Sequence, residues 1–336
     1  MDTITQAALG AAIGLAGWRR HGRRAVAFGA LCGLMPDFDI FLGMGDDWQG
    51  LLTHRAWTHS LLVLPVLAVP VGWAGWAALG RRGRPASWIH LAFWALVTHP
   101  LLDVHTTYGT QLLAPLSDRR FAIDAVAILD PLYTLPLLAS LVYGLRRRAD
   151  PLWARRLAAA ALLWGVGYLG LGLAWTAKAK RVFADSLRSQ GFEPTELRTP
   201  VSFFFPMLRH GTAKAADGRI AAATLVPWAP ERSEIRIVES GTSARVEAAL
   251  ESERGQILQW FSGGYLSAET LDDGTIWFTD HRYGMYSDPL ASPFRTSVPA
   301  GAEPGELRMQ SPRDTPGQRL DPMGELQAAW ALVTGP

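Results

Sequence analysis

The sequence predicts an α-helical integral membrane domain of about six transmembrane helices over residues 1–180, followed by a small mixed or mostly β soluble domain over 181–336. Three observations carry that expectation. Hydrophobic residues make up 49% of the chain and crowd into its first half, where several runs approach the ~20 apolar residues that cross a bilayer. Short arginine clusters separate those runs. Beyond residue 181 the texture changes to short alternating or aromatic runs between Gly, Pro and Asp-Gly turns.

Six apolar segments can be marked, at 4–18, 25–44, 60–79, 87–104, 125–145 and 157–177. The third and sixth carry no charged side chain; the second, fourth and fifth contain Asp or His. The connections "RRHGRR" (19–24), "RRGR" (81–84) and "RRRADPLWARR" (146–156) hold twelve arginines, whereas 45–58 and 105–124 hold only Arg55, Arg119 and Arg120. By the positive-inside rule the basic connections are cytoplasmic, and the N-terminus, the "HRAWTHS" loop and the C-terminal domain are extracytoplasmic. Lys178, Lys180 and Arg181 weigh mildly the other way.

The start "MDTITQAALG" lacks a basic region, so no cleavable signal peptide is expected. Cys32 is the only cysteine and excludes an intramolecular disulfide. A net charge of +2, with arginines in scattered clusters, gives no reason to expect a nucleic-acid partner. In the second half, "VSFFFPML", "IAAATLVPW", "EIRIVES", "QILQWFSGGYL" and "TIWFTDHRYGMY" read as strands. The Pro/Gly-rich stretch 298–322 reads as an extended surface segment and "MGELQAAWALV" as a short amphipathic helix.

Ionisable residues at membrane depth are costly and call for an explanation. Here Asp37 and Asp39, His54 and His59, His99, Asp103 and His105, and Asp124 and Asp130 all fall at one face under the orientation above, together with Asp2. His99 and Asp103 are four residues apart, which on a helix stacks imidazole over carboxylate so that both reach one cation. Histidine, aspartate and water form the ligand set of a catalytic zinc or a similar divalent ion. Plainer readings exist for single members. Asp130 before Pro131 suits a helix cap, and His21 and His90 suit solvated or interfacial positions. His210 and His281 stand alone in the second half.

In this order, "MDTITQAALGAAIG", "LMPDFDIFL", "HRAWTHSLL", "THPLLDVHTTYGTQLLAPL" and "FAIDAVAILDPLY" resemble the YdjM-type bacterial inner-membrane metal-dependent hydrolases over residues 1–135. The resemblance implies a helical membrane domain, a divalent metal site and hydrolytic activity. Carried over by position, it picks out Asp37 and Asp39, then His54, Arg55, Thr58, His59 and Ser60, then His99 and Asp103. Thr5-Gln6 stands where members often have Thr-His, which removes one ligand, and Ala56 stands where they have Gly. The His-x-x-x-Asp pair also resembles, more distantly, that of zinc-dependent phospholipases C and related nucleases.

The expected metal ligands are therefore Asp37, Asp39, His59, His99 and Asp103, with zinc as the expected ion and manganese as the alternative. His54, Arg55 and His105 are the expected catalytic groups, His54 as acid/base or further ligand and Arg55 as an anion clamp. The expected substrate is an amphiphilic or lipid-linked phosphoester met among membrane lipids at the extracytoplasmic face of the bacterial inner membrane. The competing reading is a metal-binding membrane protein without catalysis, serving transport, envelope stress or partner binding. The C-terminal domain is expected to act as a lid, substrate guide or partner-binding module.

Overall fold

Asp2 caps the first helix by accepting from Ile4 N and Thr5 N, and α1 (Thr3–Gly17) follows. Its neighbour α2 (Arg23–Leu34) crosses it with almost no side chain between. A Cβ on Gly10 would lie 2.1 Å from Gly29 O, one on Gly14 2.3 Å from Ala25 O, and one on Gly33 2.4 Å from Gln6 O. Gly-x-x-x-Gly in each helix thus makes an antiparallel backbone-to-backbone crossing, a packing suited to a lipid environment, where small residues let helices approach. The computed structural model describes residues 1–18, 22–41, 44–146, 150–201, 205–310 and 321–334.

After α2 the chain tightens into a 3-10 turn, Met35–Phe41, because Pro36 cannot continue an α-helix. Then come α3 (Asp47–Thr53), a 3-10 turn Trp57–His59, α4 (Leu64–Ala78), α5 (Pro85–Asp103), α6 (Pro131–Gly144) and α7 (Pro151–Ser189). Leu9, Leu102, Tyr133 and Leu137 form one core among α1, α5 and α6. Phe28, Leu64, Trp88 and Leu91 form a second among α2, α4 and α5, with Phe28 and Trp88 edge to face at 5.2 Å.

These helices correct the expectation of about six membrane crossings. Among the described residues, α7, with 39 residues, is long and apolar enough to cross a bilayer. A second crossing exists only if Asp47–His59 and Leu64–Ala78, bent by 72°, are counted as one broken span. Two of the other apolar runs are only partly helical. The 25–44 run leaves the α-helix at Leu34, and the 125–145 run becomes helical only at Pro131, where Asp130 supplies the cap. A 15-residue helix such as α1 spans about 22 Å, short of the ~30 Å hydrocarbon core. α5 has 19 residues but carries His90, His99 and Asp103 along its length.

The chain divides into two compact units, Met1–Leu173 and Ala174–Pro336, with the boundary inside α7. The second unit is a β domain of two four-stranded antiparallel sheets. The first has the order β1 (Pro194–Arg198), β2 (Arg209–Ala215), β3 (Ile220–Leu225), β4 (Glu234–Val238). β3 is buried throughout, and its alanines leave room for Phe183, Leu187 and Phe192 against the sheet. The second has the order β5 (Leu266–Thr270), β6 (Ile276–Asp280), β7 (Arg295–Val298), β8 (Arg308–Gln310). Helices α8 (Ala244–Glu251) and α9 (Glu253–Ser262) lie between the sheets in sequence, and α10 (Pro322–Thr334) follows them.

Three of the five expected strand segments contain strands at β3, β4 and β6. The fourth, "QILQWFSGGYL", is mostly α9: Ser252 caps it by accepting from Gly255 N, and Gly263 ends it at φ 61°, so only its last residue enters β5. In "VSFFFPML", Val201 bridges Arg209 and residues 205–208 form no strand, while 202–204 lie outside the described residues. The expected C-terminal helix is α10. β8 interrupts the expected extended segment, whose residues 311–320 lie outside the described ones, as do Arg19, Arg20, His21, Arg147 and Arg148 of the basic connections.

Candidate metal centre

The end of α2, the two 3-10 turns and the end of α5 bring four side chains to one point. His99 and Asp103 come from successive turns of α5, Asp37 from Met35–Phe41 and His59 from Trp57–His59. One ligand atom from each lies within 4.8 Å of all the others. His59 Nε2 is 3.0 Å from His99 Nε2, 3.4 Å from Asp37 Oδ1 and 3.3 Å from Asp103 Oδ2. His99 Nε2 is 3.3 Å from Asp37 Oδ1 and 3.4 Å from Asp103 Oδ2. Donors about 2.0 Å from a common tetrahedral centre stand about 3.3 Å apart, so the spacing fits a zinc-sized ion.

The surroundings set both tautomers. His99 Nδ1 is 2.6 Å from Gly33 O, which only accepts, so the proton sits on Nδ1. Thr58 donates its hydroxyl proton to Asp39 Oδ2 at 2.6 Å, leaving its oxygen, 3.0 Å from His59 Nδ1, to accept. Asp39 Oδ2 lies 3.4 Å from the same nitrogen. With both rings neutral, as metal ligands must be, each imidazole points an Nε2 lone pair at the other, an arrangement that a cation between them makes favourable. Two carboxylates and two neutral imidazoles also match the charge of one divalent ion.

Asp39 stands behind His59 rather than at the convergence point. It accepts from His54 Nδ1 at 2.7 Å, Arg55 N at 2.8 Å and Thr58, the carboxylate-behind-histidine pattern that orients a ligand. Burial pushes the Asp39 carboxyl up, but the hydrogen bonds from His54 and His59 outweigh it and hold the group below the usual carboxylate range, ionised at neutral pH.

Arg55 is buried and adopts φ 62°, a costly conformation for a non-glycine residue. Its Nε lies 3.3 Å from Asp103 Oδ2 and its guanidinium 4.9 Å from the Tyr108 ring centre, with Arg120 4.6 Å from the same ring. Gln6 donates to Asp103 Oδ1 at 2.9 Å, and the Met1 amino group also contacts that oxygen. Of the four converging side chains only Asp37 is exposed, at 17%, so the centre opens past it. Its chain neighbours Phe38 and Phe41, and Trp57 before His59, are exposed.

The remaining candidates lie elsewhere. His54 belongs to the layer around Asp39, with its ring 5.3 Å from that of Tyr108. His105 hydrogen-bonds Leu101 O and lines an apolar groove. Asp130 caps α6 and accepts from Tyr168 Oη at 2.9 Å. Asp2 caps α1, and Asp124 is buried at φ 61°. Ser60 donates to Ala114 O. His90 is exposed. His281 and His210 are buried in the second unit, His281 against Ser267 Oγ at 2.7 Å and His210 against the His281 carbonyl. Sequence reasoning missed Gly33, Tyr108 and Arg120. For Gly33 no sequence signal exists, because its carbonyl is the functional atom; Tyr108 lay inside the quoted "TTYG" stretch.

Comparison with known proteins agrees with the segment that holds this centre. The sequence model of a family described as YdjM inner membrane protein matches residues 1–179. The uncharacterized protein YfhP of Bacillus subtilis (strain 168) is 28% identical over 152 residues, which are 42% of this chain and 45% of that protein. The chain thus spans less than half the length of that relative. No solved structure matches.

Proposed function

The chain belongs to the YdjM inner membrane protein family, and on that premise we propose that it is a metal-dependent hydrolase acting on a phosphoester of a lipid or lipid-linked substrate. The observation that carries this reading is the pair of Nε2 atoms 3.0 Å apart, flanked by Asp37 and Asp103. Asp37, His59, His99 and Asp103 would hold the ion, with zinc favoured by the imidazole and carboxylate donors and manganese as the alternative. A divalent ion held there supplies a Lewis acid and a water acidic enough to ionise near neutral pH.

The other roles follow from position. Asp39 orients His59 and keeps its proton on Nδ1. His54, hydrogen-bonded to Asp39 and partly exposed, is placed to exchange a proton with a leaving group. Arg55 is fixed by Asp103, Thr106 and Tyr108 and provides a planar cation for a phosphate oxygen. The exposed Phe38, Phe41 and Trp57 near the opening suit an amphiphile at the headgroup level.

The inner membrane is the location that family membership gives. For the side, the support is local. Arg23 donates to Leu145 O, Arg24 to Leu79 O and Arg155 to Ala16 O, so the three basic connections meet at the end of the first unit away from Gln6 and Asp103. A cytoplasmic basic end leaves the metal centre facing outward, towards the extracytoplasmic leaflet.

Elemental analysis of the detergent-purified chain, beside a His99→Ala, Asp103→Ala double variant that still folds, tests the metal. Phosphorus NMR of inner-membrane lipids and lipid-linked phosphates incubated with each protein tests the reaction. About one equivalent of zinc and phosphate release, both lost in the variant, supports the reading. Zinc binding without turnover on any phosphoester favours the non-catalytic metal-binding alternative, and no metal even after reconstitution overturns both.

A further inference from the structure

Beside the metal centre an apolar groove of about 570 Å³ runs among α1, α5, α6 and α7. Its volume is that of a small-molecule site. We propose that this groove is an acyl-chain site, holding one fatty chain of a membrane lipid whose phosphoester headgroup lies at the metal centre; the placement of the headgroup rests on the hydrolase reading above.

Two walls of the groove belong to helices that also reach the metal centre. On α1, Gln6 donates to Asp103, while Leu9, Ile13 and Gly17, further along the same helix, line the groove. On α5, His99 and Asp103 face the centre, while Trp94, Thr98, Leu101 and Leu102 line the groove. At ~100° per residue the two α5 stripes lie more than a third of a turn apart, on different faces, so one helix serves both sites.

The length argues for the occupant. From Gln6 to Gly17 along α1 is about 16 Å, and from Asp103 to Trp94 along α5 about 14 Å, at 1.5 Å per residue. That is about half of the ~30 Å hydrocarbon core, the depth of one leaflet. Chemistry argues the same way. The lining is mostly aliphatic and aromatic, with no carboxylate, lysine or arginine, and its one histidine, His105, lies two residues from Asp103. Headgroup chemistry is thereby confined to one end and hydrocarbon to the rest. The lining residues Trp94 (51% exposed) and Val166 (70%) leave the groove open along one side, through which a chain can enter from the bilayer.

The test is photo-labelling of the full chain in vesicles of phosphatidylethanolamine and phosphatidylglycerol that contain a trace of phosphatidylglycerol with a diazirine at its acyl terminus. Cross-links are mapped by mass spectrometry, with zinc content measured on the same samples. The expected result is labelling of groove-lining peptides of α1 and α5 that excess unlabelled lipid competes away. Thr98→Trp, which fills the groove, should lower it by about tenfold with zinc unchanged, whereas Leu163→Trp, on the exposed surface of α7 and off the lining, should not. Ile13→Trp on the facing wall replaces Thr98→Trp if the latter fails to fold.

Labelling that is not competed, or that is equal in the filled variant, overturns the acyl-chain site. The two readings separate cleanly. Groove labelling that persists in a protein that binds no zinc leaves the acyl-chain site standing and sinks the hydrolase, while a zinc-loaded protein with no groove labelling does the reverse.

Discussion

His59 Nε2 and His99 Nε2 face each other at 3.0 Å, and the proton of each ring is directed away from the other, towards Asp39 and Thr58 in one case and Gly33 O in the other. Two lone pairs held this close repel unless something positive lies between them. Replacing His59 with Ala removes one of four donors and should abolish stoichiometric zinc binding in detergent-purified protein, as measured by elemental analysis after dialysis. Retention of a full equivalent would show that the ion, if bound, lies elsewhere.

Asp39 and Asp37 should behave differently, although they flank one residue. Asp37 faces the convergence point; Asp39 backs His59. Asp39→Asn should weaken zinc affinity by about 10–100-fold while saturation still reaches one equivalent. Asp37→Asn should lower the occupancy reached at saturation. Competitive titration against a chelating dye separates the two, and equal behaviour would make Asp39 a direct ligand.

Arg55→Lys keeps the charge but loses the planar fork. The expected outcome is unchanged zinc content with phosphoester turnover lowered by roughly 10²-fold or more, the scale of removing one charge-stabilising donor. Turnover within a factor of two of the parent would remove Arg55 from the reaction.

Gly33 links packing to the site. A Cβ there would lie 2.4 Å from Gln6 O, and Gly33 O accepts from His99. Gly33→Ala should therefore both lower the melting temperature in detergent and weaken zinc binding, whereas Gly17→Ala, with open space around its Cβ, should do neither. Gly33→Ala protein with parental affinity would dissociate the crossing from the site.

His281 makes the second unit pH-sensitive. Burial lowers its pKa to about 4, against an ordinary value of 6.5. Folded protein then keeps the ring neutral while the unfolded chain takes up a proton, so stability is full above pH 6.5, falls as pH drops towards about 4 and levels off below it. Hydrogen-exchange protection at β6, corrected for the pH dependence of the intrinsic exchange rate, should fall between pH 7 and pH 5, and His281→Gln should flatten that dependence. An unchanged slope in the variant would assign the effect to another group.

The parts of the fold that were legible in the sequence are those set by local chemistry. "IAAATL", "EIRIV" and "IWFTD" alternate or bury as strands, and Asp130-Pro131 reads as a helix start and is one. "QILQWFS" misled because its apolar residues suit either periodicity, and the cap at Ser252 with the left-handed Gly263 decided for helix. The six crossings failed for a related reason. Hydropathy counts apolar residues but does not register that Pro36 follows the end of one helix and Asp130 starts another midway through an apolar run.

For the site, sequence alone determined which residue types were available and the one pairing that helix geometry enforces, His99 with Asp103. Tertiary structure decided the rest. Asp37 and His59 reach that pair from separate turns, Asp39 turns behind His59 instead of beside it, and His105, two residues from Asp103, turns into the groove. The physical reason is direction. A motif lists side chains along a line, whereas a metal or a lipid chain is met by side chains converging from several segments, and only packing, down to the glycine crossing of α1 and α2, sets where each one points.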